Sequence, residues 1–213
     1  MFKTPSNILV VGPSQSGKTF CVAQLLKDRA ACFKPVPSSV HCCYGVGNKL
    51  MPELQKHGVH FHEGLPQGEA DLDKWFKGQP GILVIDDLMA EGGNSKELQV
   101  IFTKFSHHKD LTVIYLTQDL FPAGCYNKTI SRNFHYIVAF NNPRDGTGLR
   151  NLLVQAFPGQ WRTVLDTTQR LLDRHRDYVM FDFHSEAPNG MRVYTDVLKR
   201  DGVTRGFHIK RRP

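Results

Sequence analysis

A chain of 213 residues with 40% hydrophobic and 22% charged content has ordinary globular composition and length enough for one sizeable core. No apolar run approaches the ~20 residues that cross a bilayer, and the first residues do not form a secretory signal, so neither a membrane-spanning nor an exported protein is expected. The formal net charge of +7 points instead to a polyanionic partner, nucleic acid first.

The first strong pattern comes early. The apolar run Ile8-Leu9-Val10-Val11 leads into Gly12-Pro13-Ser14-Gln15-Ser16-Gly17-Lys18-Thr19, and the helical pattern Phe20 to Leu26 follows. Strand, glycine-bounded loop and helix with the spacing G-x-x-x-x-G-K-T make a phosphate-binding loop. Gly12 and Gly17 permit backbone geometries that a Cβ would block, so consecutive N–H groups can converge on phosphate oxygens. The helix N-terminus adds its positive end. Lys18 is expected to reach the β- and γ-phosphates of ATP, and the Thr19 hydroxyl to ligate Mg²⁺. The nucleotide-binding set is therefore Gly12, Pro13, Ser14, Gln15, Ser16, Gly17, Lys18, Thr19 and Phe20.

A proline-containing link, residues 35 to 39, precedes a short strand at Val40 to Tyr44, which Gly45 and Gly47 end. His57, His60 and His62 surround a brief strand at Val59 to Phe61, with His60 and His62 on one face. No fourth ligand stands at a metal-site spacing, and a structural or solvent role is expected for them. Asp71 to Phe76 reads as a short amphipathic helix stopped by Gly78 and Pro80. Cys21, Cys32, Cys42, Cys43 and Cys125 show no C-x-x-C spacing and read as thiols in a reducing compartment.

Gly81-Ile82-Leu83-Val84-Ile85 reads as a strand covered on both faces, ending in Asp86-Asp87 where open α/β sheets place their ligands. Asp86 is expected to hold Mg²⁺ opposite Thr19, and Asp87 to orient or deprotonate the attacking water. Ser95 is a cap for a helix over Lys96 to His107. A third buried strand, Leu111 to Leu116, ends in Thr117-Gln118, a polar pair able to sense the γ-phosphate and position water. Another strand spans Phe134 to Phe140, a helix spans Gly148 to Phe157, and the rest reads as edge strands at Tyr178 to Phe183 and Met191 to Tyr194. The domain is placed at 1–198, with a basic C-terminal tail over 199–213.

A phosphate loop, an apolar strand ending in Asp-Asp and an apolar strand ending in Thr-Gln resemble the FtsK/HerA class of P-loop ATPases. The strings FTKFSHHKDLTVIYLTQDLF and TISRNFHYIVAFNNPRD are more specific. They resemble the small packaging ATPases of Polinton (Maverick) elements and adintoviruses, relatives of the poxvirus packaging ATPase, over about Asn7 to Pro158. The resemblance implies an α/β fold of the P-loop NTPase (ASCE, RecA-like) type. That is a three-layer sandwich with a mainly parallel central sheet, an added strand between the phosphate-loop and Asp-Asp strands, and edge strands from the C-terminal part. It implies ATP hydrolysis with Mg²⁺, a ring homo-oligomer that forms at a viral capsid vertex, double-stranded DNA as the cargo, and a place in the virion or the host-cell interior.

Carried over, Lys18 and Thr19 bind nucleotide and metal, Asp86 coordinates Mg²⁺, and Gln118 is the sensor. Much of the class has glutamate where this chain has Asp87. The shorter side chain needs a closer approach to water, and Glu91 is the substitute base. Rings of this type complete each site with a neighbour's arginine. Arg144 in Asn-Pro-Arg-Asp is the first candidate and Arg132 the second. Lys104, His107, His108, Lys109 and the C-terminal basic cluster are candidates for gripping DNA phosphates without reading bases. Two other readings remain open: a nucleoside or nucleotide kinase, and a non-hydrolysing nucleotide-gated scaffold.

Overall fold

The computed structural model describes residues 2–86, 88, 96–121, 130–174, 176–188, 190–197 and 204–209. Strands β1 (Phe2–Lys3) and β2 (Asn7–Val11) are followed by helix α1 (Lys18–Lys27), the single turn α2 (Arg29–Cys32), β3 (Phe33–Lys34) and β4 (Ser39–Tyr44). Helix α3 (Met51–Lys56), β5 (Val59–Glu63), α4 (Glu69–Phe76) and β6 (Gly81–Asp86) come next. A helical segment, α5, runs through Lys96–Val100, a π-helical stretch Ile101–Phe105 and Ser106–His108 into β7 (Leu111–Thr117). Ser95, the expected cap of that segment, lies outside the described residues. The chain continues as β8 (Tyr136–Phe140), α6 (Gly146–Ala156), α7 (Trp161–Leu171), β9 (Tyr178–Asp182), β10 (Met191–Thr195) and β11 (Arg205–His208).

Among the described residues nine strands form one sheet in the order β11-β10-β9-β8-β2-β7-β6-β4-β5. From β8 to β5 every pairing is parallel, while β9, β10 and β11 extend the sheet antiparallel. β7 lies between β2 and β6, so an added strand separates the phosphate-loop strand from the Asp86 strand as expected. β1 and β3 pair apart from this sheet.

The central strands are apolar on both faces because both faces are covered, as parallel sheets require. Alternation sorts their residues. Leu9, Val11, Leu83, Ile85, Val113 and Tyr115 join one core with α4, α5, α6 and α7. Ile8, Val10, Ile82, Val84, Ile114 and Leu116 join the other with α1, α3 and the β1/β3 pair. The architecture is a three-layer α/β sandwich.

Two features depart from the sequence expectation. Helix α7 was not foreseen between Phe157 and the edge strands, although Trp161, Val164, Leu165 and Leu171 keep helical spacing and pack toward the first core. The stretch assigned to a basic tail carries β11, whose Phe207 pairs with Val193 of β10, so the sheet extends past residue 198. The Lys199-Arg200 and Lys210-Arg211-Arg212 clusters lie outside the described residues.

The expected histidine strand is β5, packed against a histidine of β4. His41 Nδ1 and His62 Nε2 are 2.9 Å apart, and the His62 ring stacks on Trp75 with centroids 3.7 Å apart. Among the described residues no group of three or more His, Cys, Asp and Glu side chains could hold a metal ion, and none of the helices is long and apolar enough to cross a membrane. Cys21, Cys42 and Cys43 are buried free thiols, Cys32 is half-buried, and Cys125 lies outside the described residues.

Candidate nucleotide-binding site

Parallel strands deliver their C-terminal ends to one edge of the sheet, and register aligns them there. Val11 stands opposite Thr117 on one side and Ala139 on the other, while Asp86 stands opposite Leu116 and Tyr44. The loop after β2, the Asp86 carboxylate and the Thr117-Gln118 pair therefore meet at the same level. A cleft of about 280 Å³ is lined there by Lys18, Thr19, Asp86, Thr117 and Gln118, together with Ser14 and Gln15 of the loop. Val46, Gly47 and Asn48, which follow β4, close its far side.

Loop conformation explains the glycines. Gly17 has φ +104, a left-handed geometry that an L side chain resists, and Gln15 is left-handed at φ 65. A Cβ on Gly12 would stand 2.7 Å from the Phe140 Cβ and 2.9 Å from the Ser16 Oγ, so the neighbouring strand leaves no room for one. Residues in such alternating conformations turn successive N–H groups to a common side, the arrangement that holds anions. Gly17 is the N-cap of α1 and supplies no side-chain cap, leaving the first-turn N–H groups without a side-chain acceptor from it. Ser16 is 5% exposed and its hydroxyl has no hydrogen-bond partner among the described residues, an orphaned polar atom inside the loop. Lys18 Nζ donates to the Gly12 and Pro13 carbonyls at 2.6 and 2.9 Å. The lysine is thus folded over the loop and lines the cleft.

The oxygen donors fit a small hard cation. A threonine hydroxyl and a carboxylate in one cleft, beside the lysine, are the ligand types Mg²⁺ takes while keeping several waters. Asp87 and Glu91, the two alternatives for the water-activating carboxylate, lie outside the described residues.

On the other side of the loop a second cleft, of about 400 Å³, is lined by Gly17, Phe20, Cys21 and Gln24 from α1. Phe140, Tyr178, Arg176 and Asp196 line it further, with Arg205 and Phe207 of β11. Cys21 is no nucleophile there, since burial pushes its thiol up to about 12. Of the residues that line this cleft, sequence reading named Gly17 and Phe20 and missed the rest. Val46, Gly47 and Asn48 of the first cleft were also missed, although residues that follow a parallel strand belong at the ligand edge. Arg176 and β11 gave no local signal.

The two arginine candidates part company. Arg144 is exposed in the turn between β8 and α6, at the phosphate-loop edge of the sheet. Its backbone N–H donates to Asn142 Oδ1 at 3.1 Å, and Asp145 caps α6 by accepting from the Gly148 N–H. Arg132 is exposed in the turn before β8, at the opposite edge. The α5 terminus also lies at that opposite edge. Lys109 there is held by ion pairs to Glu69, at 3.0 Å, and to Asp73, with its side chain 17% exposed. Lys104 and His108 remain exposed, and the His107 side chain lies outside what the structure describes.

No protein-family model matches the chain, and no curated protein matches its sequence. Solved structures do match. The genome packaging NTPase B204 from Sulfolobus turreted icosahedral virus 2, in complex with AMPPCP, aligns with a TM-score of 0.57 at 11% identity, covering 95% of this chain and 97% of that one. The fold is that of a P-loop NTPase. B204 described as the DNA-packaging ATPase from Sulfolobus Turreted Icosahedral Virus gives a TM-score of 0.56 at 11% identity over 95% and 97% of the two chains. The B204 complex with AMP gives 0.52 at 13% identity over 84% and 94%.

Proposed function

We propose that this protein is an ATP-hydrolysing motor that drives double-stranded DNA into a preformed viral capsid, a packaging ATPase of the FtsK/HerA class and of the Polinton and adintovirus type. One observation carries the reading: Lys18, Thr19, Asp86 and Gln118, drawn from three separate strand ends, line a single cleft at the ligand edge of a parallel sheet. The likeness to packaging NTPases solved with ATP analogues supports it.

Each residue has a part. The loop N–H groups of Ser14, Gln15 and Gly17 and the end of α1 cradle the phosphates, and Lys18 moves from the Gly12 and Pro13 carbonyls onto phosphate oxygens. Thr19 and Asp86 are the residues that would hold Mg²⁺, which when bound would neutralise phosphate charge. Gln118 orients the attacking water, and Asp87 takes its proton. The second cleft, beside Gly17 and Phe20, accepts the sugar and base.

The ligand edge also carries exposed apolar side chains. Phe20 is 61% exposed, Val46 72% and Phe121 43%, each within or just after a segment that lines the nucleotide cleft. Apolar exposure around a polar cleft supports a surface that a second copy covers in a ring. Arg144, on that edge and exposed, is the residue such a copy would offer in trans. Exposed Lys104 and His108, at the opposite edge, and the basic C-terminal clusters are the candidates for contact with DNA phosphates; for Lys109 the two carboxylates at its ammonium make a structural role the better assignment.

The decisive experiment is ATP hydrolysis measured against protein concentration, with and without double-stranded DNA, with Lys18→Ala as the blank. Turnover per subunit that rises with concentration and with DNA is expected. Turnover proportional to protein and indifferent to DNA would sink the motor and leave a self-contained nucleotide enzyme.

A further inference from the structure

Arg176 joins the nucleotide loop from a distant part of the chain. A Cβ placed on Gly17 would stand 3.5 Å from the Arg176 Cγ and 3.8 Å from its Cβ, so the arginine stem packs directly on the last glycine of the loop. Its backbone is left-handed, φ 74, a conformation that a non-glycine residue adopts at a cost. The turn that holds it is pinned on both sides. The Asp177 N–H donates to the Arg174 carbonyl at 3.1 Å, the Asp177 carboxylate accepts from the Arg174 N–H at 2.8 Å, and the Asp177 carbonyl accepts from the Asn141 N–H at 3.3 Å.

The charge on this side chain is uncommitted among the described residues, with no ion pair or hydrogen bond to any of them. Arg205, the other arginine of the same cleft, is paired with Asp196 at 2.6 Å. Asp177, the remaining carboxylate there, is engaged with the Arg174 amide. A solvated surface arginine covering Phe140 would need neither the left-handed backbone nor a position on Gly17.

Position decides which part of a ligand it meets. Lys18, Thr19, Asp86 and Gln118 line the cleft on one side of the loop, and Gly17 with Phe20 and Gln24 line the cleft on the other. A nucleoside triphosphate with its terminal phosphate in the first cleft crosses Gly17 where its phosphates join the sugar. We propose that Arg176 is a nucleotide-positioning residue that binds the α-phosphate in cis, a role distinct from the trans arginine and resting on the nucleotide-site reading above. A guanidinium there holds ATP and ADP alike, because the group it touches is not transferred.

The test is titration calorimetry with ATP and with ADP, together with steady-state hydrolysis, on wild type, Arg176→Ala, Arg176→Lys and Arg176→Gly. Loss of a charge-assisted contact predicts about tenfold weaker binding of both nucleotides by Arg176→Ala, read equally in KM, with kcat at saturating ATP within about twofold. Arg176→Lys should recover part of the affinity. Arg176→Gly, which adopts φ 74 without strain, should melt no lower than wild type in the absence of nucleotide and yet lose affinity as the alanine variant does. Unchanged binding in Arg176→Ala, or a loss confined to kcat, overturns the proposal alone. A wild-type chain that binds neither nucleotide overturns the site reading and this proposal with it.

Discussion

At the residue scale the phosphate loop was legible because its chemistry restricts residue types. Gly17 must take a positive φ, Lys18 must carry a charge, and Thr19 must offer a hydroxyl at fixed spacing. Gly17→Ala is expected to cost about 1–2 kcal/mol of stability for a left-handed alanine, seen in chemical denaturation, and to abolish ATP binding as the loop shifts. Gly12→Ala should abolish binding by a different route, since its new methyl meets the β8 side chain Phe140 at 2.7 Å. Lys109 shows the limit of reading residues singly. In the sequence it is one of a run of cations before a strand. In the fold, hydrogen bonds from its ammonium to Asp73 and then Glu69 hold its pKa above the ordinary lysine range. Lys109→Ala should therefore lower stability by up to about 1 kcal/mol, with the salt dependence of DNA binding unchanged.

Among elements, the parallel strands were legible because a continuous apolar run bounded by glycine, proline and aspartate is the pattern that burial on both faces demands. Helix α7 was missed although its face is readable in the sequence: Trp161, Val164, Leu165 and Leu171 recur at helical spacing among threonine and charge, and that face packs against the first core. The π-helical turn of α5 has a cause that no local pattern holds. Asn7 of β2, fully buried, donates its side-chain amide to the Phe102 carbonyl at 3.2 Å and the Asn133 carbonyl at 3.0 Å, while Ser106 Oγ donates to the same Phe102 carbonyl. Side chains that take a carbonyl from the helix ladder loosen it locally. Asn7→Ala removes one donor from each of those carbonyls, the Phe102 carbonyl keeping Ser106 Oγ, and should destabilise by about 1–3 kcal/mol, measured by urea denaturation. The histidine layer between β4, β5 and α4 carries a pH dependence. Burial first, then His60 and His62, lower the His41 pKa to about 4 from 6.5. The unfolded chain takes up a proton on this side chain below 6.5 that the folded chain refuses until about 4. Stability from it is complete above about pH 6.5 and is lost across that window, roughly 2 kcal/mol by pH 5. The melting temperature of wild type should fall from pH 7 to pH 5 more steeply than that of His41→Phe.

At the scale of the whole molecule, the two edges of the sheet carry different side chains. The cleft proposed for nucleotide and Arg144 stand at the C-terminal ends of the parallel strands, and the exposed cations Lys104 and His108 belong to the α5 segment that enters the other edge. Arg144→Ala is expected to bind ATP with wild-type affinity and to lose turnover by about 10³-fold, restored in part when mixed with Lys18→Ala subunits that supply the missing guanidinium. Failure of the mixture to regain activity would remove Arg144 from the role.

The second cleft has walls from opposite ends of the sequence: Gly17 and Phe20 on one side, Arg205 and Phe207 on the other. A ligand seated there ties an early helix to the outermost strand of the sheet, which among the described residues pairs with β10 and no other strand. Binding thus becomes mechanical reinforcement of the sheet margin. Amide hydrogen exchange at Arg205–His208 should slow by about the factor that ATP occupancy stabilises the native state, while the exchange of β2 and β7 stays as slow as global unfolding allows.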